Sequence, residues 1–501
     1  MQAISPEQTH ALHSAAATRA MEAAAASGLP AHCLMQRAGA AAARLAQAIA
    51  PHARRIWIAC GPGNNGGDGL EVALRLHVAG RAVSVTWLGQ PDTAPPDARA
   101  AWQRAVDAGV VFAPGSPADL GPRDLCIDAL LGIGLSASSP PRSTSPGALQ
   151  ALLDALRSSP ATLLAVDVPS GLDADTGQYA PGFAPATAPA ARHTLSLLTL
   201  KPGLFTAQGR DACGSVWFDD LGCSALAPPP VAQWGTQPRA SGRHGALHAS
   251  HKGSFGDVAV VGGEGLAARG MGMTGAAWLA ALAALHGGAG RVMVALLDAG
   301  GTTAPPWPEL MLRRVDALDW PQLTAVCGCG GGEAVRAVLP TALAQAARLV
   351  LDADGLNAVA GDDALARALR ARADAGHTSV LTPHPLEAAR LLQCTTAQVQ
   401  ADRLAAAQAL AERYACTIVL KGSGSITATP GERPIINPTG NARLATAGTG
   451  DVLAGLIGAR LARGLGPHQA ASSAVQSHGA AADQWPAHLA LTASALAAAL
   501  Q

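Results

Sequence analysis

The sequence predicts an α/β protein of two successive domains, each a mostly parallel sheet with helices on both faces. Three observations predict it. The chain has 501 residues, a length that corresponds to about two to four domains. Short runs rich in Val, Ile and Leu alternate with longer helical patterns through both halves, as right-handed strand–helix–strand crossovers require. Between the halves lies SALAPPPVAQWGTQPRASGR (224–243), with three consecutive prolines and no hydrophobic period, which reads as a linker. The expected organisation is a first domain over 1–224, a linker over 225–243 and a second domain over 244–501.

In the first half the strands are expected at 54–60, 82–89, 124–132, 162–170 and 193–200. In the second half they are expected at 257–263, 291–296, 323–328, 348–354, 379–383 and 416–422. Clustered β-branched and leucine residues carry these assignments, whereas abundant alanine blurs the helical period between them. The stretches 136–147 and 180–190, rich in Pro, Ser and Gly or Ala, read as loops inside the first domain. In such sheets ligands bind at the carboxyl ends of strands, and every motif below sits there.

Composition excludes several functions. Apolar residues make up 49% and charged residues 14%, with 35 basic against 35 acidic, which leaves no electrostatic footprint for nucleic acid or an anionic membrane. The longest apolar run, 276–285, is far shorter than the ~20 residues of a membrane span. The opening MQAISPEQTH has no basic region followed by an apolar one, so a cytoplasmic protein is expected. Nine cysteines without a C-x-x-C pair argue against a zinc site or disulfide framework and suit a reducing compartment. Lysine occurs only at Lys201, Lys252 and Lys421, against 32 arginines. A lysine retained under that bias marks a position where a compact point charge serves and a planar guanidinium does not.

The first half carries Gly61-Pro-Gly-Asn-Asn-Gly-Gly-Asp-Gly69 after a strand and before a helix. Such a turn lets backbone N–H groups approach an anion. Asn64 and Asn65 break the G-x-G-x-x-G spacing, and the second strand ends in LGQPD without a ribose-binding acid, which disfavours a dehydrogenase. The polar turn suits a nicotinamide-like ring or a cation. Asp128, Asp167, Asn65 and Ser170 are expected to converge at one sheet edge, where oxygen ligands of modest charge suit a hard cation. An Asp opposite a Lys equally suits proton transfer, and Lys201 is the candidate partner.

GPGNNGGDGL, IDALLGIGLS, AVDVPSGLDADTG and TLKPGL, in that order, resemble the YjeF N-terminal family, the NAD(P)H-hydrate epimerases. The resemblance implies a Rossmann-like fold and interconversion of the R and S epimers of hydrated NADH and NADPH (NADHX and NADPHX). It implies substrate contacts from Asn64, Asn65, Gly66, Gly67 and Asp68, from Gly132, Ile133, Gly134, Leu135, Ser136, Ala137 and Ser138, and from Asp167, the catalytic acid. It also implies a potassium ion held by Asn65, Asp128 and Ser170. Gln36 and Glu71 depart from the family pattern.

In the second half, Thr446 to Gly450 of NARLATAGTGD (441–451) open a helix and would form an anion hole of backbone N–H groups. Asp451 would accept a proton from a substrate hydroxyl while the hole holds a phosphoryl group. Lys421 in LKGSGS suits a phosphate- or adenine-side loop, His384 and Glu387 sit at another strand end, and Asp352, Asp354 and Asn357 suit a magnesium–water shell.

HKGSFGDVAVVGG, WPELM, LVLDADGLN, LTPHPLE, VLKGSGS and ATAGTGDVLAG resemble the ADP- or ATP-dependent NAD(P)H-hydrate dehydratases of the ribokinase-like superfamily. The resemblance implies that a nucleotide phosphorylates the hydroxyl of the S hydrate, and that elimination of phosphate restores the nicotinamide double bond. Lys421, Gly422, Ser423, Gly424, Ser425 and Gly450 would bind the nucleotide. Ala276, Gly330, His384 and Asp451 would bind the hydrate. Three departures bear on this half. The G-P-G-L-G turn appears as Gly328-Cys-Gly-Gly-Gly332, Leu386 stands at a usual glycine, and Glu264 at a usual serine.

The expectation is therefore a bifunctional repair enzyme, with Asp167, Lys201 and Asp451 as catalytic groups. It would use K+ in the first domain and Mg2+ with ADP in the second, and assemble as a homo-oligomer. The rival expectations are a hydroxymethylpyrimidine-type kinase with a regulatory front domain, and a non-catalytic nucleotide-binding scaffold.

Overall fold

The computed structural model describes residues 1–135, 146–184, 192–236, 248–297 and 305–500. The two expected loops fall largely, and the linker's C-terminal part wholly, outside them. The contacts divide the chain into two units, Met1–Ala232 and Gln233–Gln501.

The first unit contains β1 (Gln2–Ala3), β2 (His10–Leu12), β3 (Ile56–Cys60), β4 (Val83–Trp87), β5 (Val111–Phe112), β6 (Leu125–Ala129), β7 (Thr162–Val166), β8 (Arg192–Leu197) and β9 (Ser215–Asp219). The sheet order is β1-β9-β8-β7-β6-β3-β4-β5. All its neighbours are parallel except β1 and β9. All five residues of β3 and of β6 are buried, as expected of strands covered on both faces. Alternate residues of β3 enter different cores. Ile56, Ile58 and Cys60 pack with the helices Cys33–Ile49 and Asn64–Val78, while Trp57 and Ala59 pack with the helix Pro146–Ser158. Chain order reverses between β3 and β6, so their carboxyl ends open a crevice.

The second unit begins within β10 (Ala232–Trp234) and continues with β11 (Asp257–Gly262), β12 (Arg291–Leu296), β13 (Met311–Leu312), β14 (Thr324–Cys327), β15 (Arg348–Leu351), β16 (Thr378–Leu381), β17 (Thr417–Leu420), β18 (Ile426–Ala428) and β19 (Ile435–Ile436). Its strands run β13-β12-β11-β14-β15-β16-β17-β18-β19-β10. Pairing is parallel from β13 to β17, then antiparallel through β18 and β19. The reversal point lies between β11 and β14. The helices Thr274–His286 and Thr449–Ala462 pack alanine and glycine faces together. A Cβ at Gly455 would lie 1.9 Å from the Ala280 carbonyl oxygen, so this close approach requires glycine.

All eleven expected strands are present, most of them shorter than the apolar run that suggested them. The additional strands are mostly short edge elements. One of them, β10, lies inside the stretch read as linker and pairs with β19. All nine cysteines are free, and seven are buried. Among the described residues, no helix is long and apolar enough to cross a membrane.

Candidate functional site

At the β3–β6 crevice the glycine-rich run is not an extended loop. The helix begins at Asn64, with Gly63 as its N-cap and no capping side chain. Gly66, Gly67 and Gly69 are therefore helical, and their role is packing rather than loop freedom. A Cβ at Gly66 would lie 1.9 Å from the Gly61 carbonyl oxygen, and one at Gly69 would lie 2.6 Å from the Ala129 Cβ.

A cavity of about 520 Å³ opens there. Asn64, Asn65, Asp68, Asp167 and Gly132 to Leu135 are among the residues on its wall. Gly66 and Gly67 lie behind it in the helix. Ser136, Ala137 and Ser138 lie outside the described residues. Asp167 has φ of 69°, an uncommon conformation for a residue other than glycine, and such outliers cluster at functional sites. Its carboxylate accepts from Lys201 Nζ and, at 3.2 Å, from the Leu197 N–H. Lys201 is fully buried and also donates to the Leu197 carbonyl (2.8 Å) and Ser196 Oγ (3.2 Å). All three ammonium hydrogens thus have acceptors, and Lys201 sits behind Asp167 rather than on the cavity wall.

Two further acids share the cavity. Burial, then the neighbouring Asp167, raises the Glu22 carboxyl; burial, then Asp167 and Glu22, pushes Asp68 well above the usual carboxylate range. Glu22 comes from the helix Ala15–Ser27, and nothing in its local sequence marks it. Glu71 has no such role. It is buried in an ion pair with Arg104.

Asp128 is raised chiefly by burial. It accepts Ser170 Oγ (2.5 Å), the Ser170 N–H (2.9 Å) and the Leu130 N–H (3.2 Å). Ser170 Oγ in turn accepts the Leu131 N–H at 2.8 Å, beside Gly132. Asn65 abuts that glycine, since a Cβ there would lie 3.3 Å from the Asn65 Cβ. Among the described residues, the buried Asn65 Oδ1 and Nδ2 have no hydrogen-bond partner. An unpartnered buried amide oxygen, packed on the loop that Asp128 and Ser170 hold, offers the kind of oxygen donor that suits a hard cation.

In the second unit, Lys421 Nζ donates to Asp352 Oδ1 at 2.8 Å across the ends of β17 and β15. Burial is the largest influence on Lys421 and opposes its charge, yet Asp352 and Glu387 outweigh it and raise the ammonium. The helix Thr449–Ala462 starts beside this pair with Gly448 at φ 89° and no capping side chain. A Cβ at Gly450 would lie 3.2 Å from Lys421 Nζ. Uncapped N–H groups next to a buried ammonium make an anion site. Asp451 occupies the first turn, and burial, then Asp352, raises its carboxyl to about 6. Buried His478 braces the turn through Nε2 to the Thr449 carbonyl at 2.8 Å.

Gly422 to Ser425 form the β17–β18 turn, with Gly422 at φ 138° and Gly424 at φ 62°. Ala276 and Gly330 meet, since a Cβ at Gly330 would lie 2.9 Å from the Ala276 Cβ. His384 caps the helix Pro385–Leu392. Its Nδ1 accepts the Leu386 N–H (3.1 Å) and Glu387 N–H (3.3 Å), and Glu387 returns a carboxylate to the His384 N–H at 2.9 Å. Leu386 lies on the first helical turn, outside the positive-φ set, so a leucine is unstrained there. Glu264 is buried, pairs with Arg269 at 2.6 Å and accepts the Ala334 N–H at 3.1 Å. Asp354 accepts the Gly332 N–H at 2.8 Å, and Asn357 accepts from Arg390 at 2.6 Å. Asp352 keeps a hard oxygen atom beside Lys421, whereas Asp354 holds the Gly332 N–H and Asn357 is committed to Arg390. Of the three lysines, Lys201 forms a buried ion pair and Lys421 a part-buried one; Lys252 is exposed on a 3-10 turn and makes no salt bridge among the described residues.

Comparison with known proteins places both halves. A family model described as YjeF-related protein N-terminus matches residues 31–203, and one described as NAD(P)H-hydrate dehydratase matches residues 260–501. A bifunctional NAD(P)H-hydrate repair enzyme of Escherichia coli is 36% identical over 483 residues, covering 92% of this chain and 87% of the relative. That of Coxiella burnetii is 35% identical, covering 91% of each. Among solved structures, an ADP/ATP-dependent NAD(P)H-hydrate dehydratase of Bacillus subtilis, co-crystallised with ATP and Mg2+, is 30% identical with a TM-score of 0.41, covering 51% of this chain and 90% of that one. With a matching family model in each half and relatives of this identity spanning nearly the whole chain, this protein belongs to the family of bifunctional NAD(P)H-hydrate repair enzymes.

Proposed function

We propose that the chain repairs NADHX and NADPHX in two steps. The first unit interconverts the R and S epimers. The second dehydrates the S epimer to NADH or NADPH, with ADP converted to AMP and phosphate. The observation that supports this most is one Lys–Asp pair at the carboxyl ends of the strands of each sheet, Asp167–Lys201 and Asp352–Lys421, with Asp451 beside the latter.

In the first unit Asp167 moves the proton of the substrate hydroxyl. Lys201 orients it through their ion pair, without touching substrate. Inverting the hydroxyl-bearing carbon requires its C–N bond to open and re-close on the other face: the hydroxyl proton passes through Asp167 to the ring nitrogen as the bond breaks, and back as it re-forms. Asn64 to Asp68 and Gly132 to Ser138 hold the dinucleotide. Asn65, Asp128 and Ser170 would hold K+, which when bound supplies positive charge to the buried Asp128.

In the second unit Lys421 and the N–H groups of Thr446 to Gly450 receive the phosphates, with Gly422 to Ser425 beside the nucleotide. Asp451 takes the proton of the hydrate hydroxyl as the phosphoryl group arrives. Ala276, Gly330 and His384 shape the hydrate pocket. Mg2+ accompanies ADP and offsets phosphate charge, a role suited to the oxygen donors near Lys421.

Point variants separate the two steps. On mixed epimers, Asp167→Asn is expected to stop once the S portion is consumed. Asp451→Asn is expected to yield neither reduced nicotinamide nor AMP. Complete conversion by Asp167→Asn would remove that residue from the epimerisation.

A further inference from the structure

The turn after β14 has room for one side chain. Gly328, Gly330 and Gly332 have φ of 112°, 57° and 54°. A Cβ at Gly328 would lie 2.1 Å from the Asp352 carbonyl oxygen, and one at Gly330 would lie 2.4 Å from that of Met273. Cys329 is thus the turn's inward side chain, and it is fully buried. Its backbone is fixed, because the Cys329 carbonyl accepts the Gly263 N–H at 3.0 Å and the Gly330 carbonyl accepts the Glu264 N–H at 2.7 Å.

Cys329 Sγ and carboxylate oxygens of Asp352 and Asp451 all lie within 4.8 Å of one another. Asp352 has Lys421 at 2.8 Å. Asp451 makes no salt bridge among the described residues, and the Cys329 thiol lies within 4.8 Å of its carboxylate. Two carboxylates therefore share one ammonium, and the thiol is the donor at hand for the second.

We infer that Cys329 is a positioning residue for the dehydratase: its S–H donates to one oxygen of Asp451 and leaves the other directed at the substrate hydroxyl. This rests on Asp451 acting as the base. Cys329 is fully buried, so its sulfur acts as donor and not as thiolate. A weak donor on a rigid turn fixes the carboxylate without neutralising it. The proton it contributes to the hydrogen bond is not consumed.

The test compares Cys329→Ala, which removes the donor, with Cys329→Ser, which replaces it at nearly the same size. Both are assayed in the full chain for kcat and for KM of ADP and of the S hydrate. Epimerase activity in the same molecule and the thermal melt serve as controls. Cys329→Ala is expected to lower dehydratase kcat about ten-fold, with both KM values changed less than about two-fold. Cys329→Ser is expected to recover most of that loss. Unchanged kcat in Cys329→Ala overturns the inference. Equal losses in both variants, or a loss confined to KM, assign the thiol to packing or binding and overturn it as well. A wild-type chain without dehydratase activity removes the base assignment itself, an outcome distinct from an active wild type that tolerates Cys329→Ala.

Discussion

Replacing Lys201 by methionine tests the first unit at its most constrained point. The ammonium is fully buried with three hydrogen-bond acceptors, one of them the Asp167 carboxylate. Methionine keeps the length and loses the charge. Asp167, whose side chain is 12% exposed, then keeps only the Leu197 N–H. Removing one member of a buried ion pair costs about 3–5 kcal/mol, because the remaining charge is uncompensated. For a unit of this size each kcal/mol shifts the midpoint by about 2–4 °C, so the first unit should melt about 6–20 °C lower. Epimerisation should be lost, while dehydration of pure S hydrate continues. The double variant Lys201→Met/Asp167→Leu should regain much of the stability and none of the epimerase activity. Thermal melts and epimer-resolved chromatography read both quantities. A single variant that melts within about 2 °C of wild type would show that the pair does not carry the predicted energy.

Three further outcomes are expected. Asp451 must be ionised to accept a proton, and its carboxyl sits at about 6; dehydratase kcat/KM should therefore fall as pH drops through about 6, and a flat profile down to about pH 5 contradicts the base role. Potassium should raise the first unit's melting temperature and epimerase rate relative to lithium, and Asn65→Ala should abolish the difference; a response that survives the substitution moves the ion elsewhere. Arg104→Met leaves buried Glu71 unpaired and should destabilise the first unit by about 3 kcal/mol, whereas adding Glu71→Leu should restore it; a neutral single variant refutes the buried-pair account.

The central strands were legible because both faces of these parallel sheets are buried, so β3 reads IWIAC and β17 reads TIVL without alternation. The short strands β18 and β19 carry three and two residues, too few to stand out from turns. The start of the Asn64–Val78 helix was obscured by glycines that suggest a loop, although tertiary contact demands them. Lysine scarcity singled out Lys201 and Lys421, which pair with Asp167 and Asp352, and equally Lys252, whose side chain is exposed. The surroundings that depend on distant packing were not legible. Glu22, unmarked in the sequence, reaches its cavity from an alanine-rich helix, and Glu387, marked there only by its place at a strand end, is raised to about 7 chiefly by burial. Local spacing cannot report such neighbours.

The most direct measurement follows the near-ultraviolet absorbance of reduced nicotinamide in a mixture of R and S NADHX, with the wild-type chain, ADP, Mg2+ and K+. Two working sites predict complete conversion to NADH, with one AMP and one phosphate released per hydrate consumed. A stop at the S portion contradicts the epimerase half of the account. No NADH at all contradicts the dehydratase half and favours a small-molecule kinase.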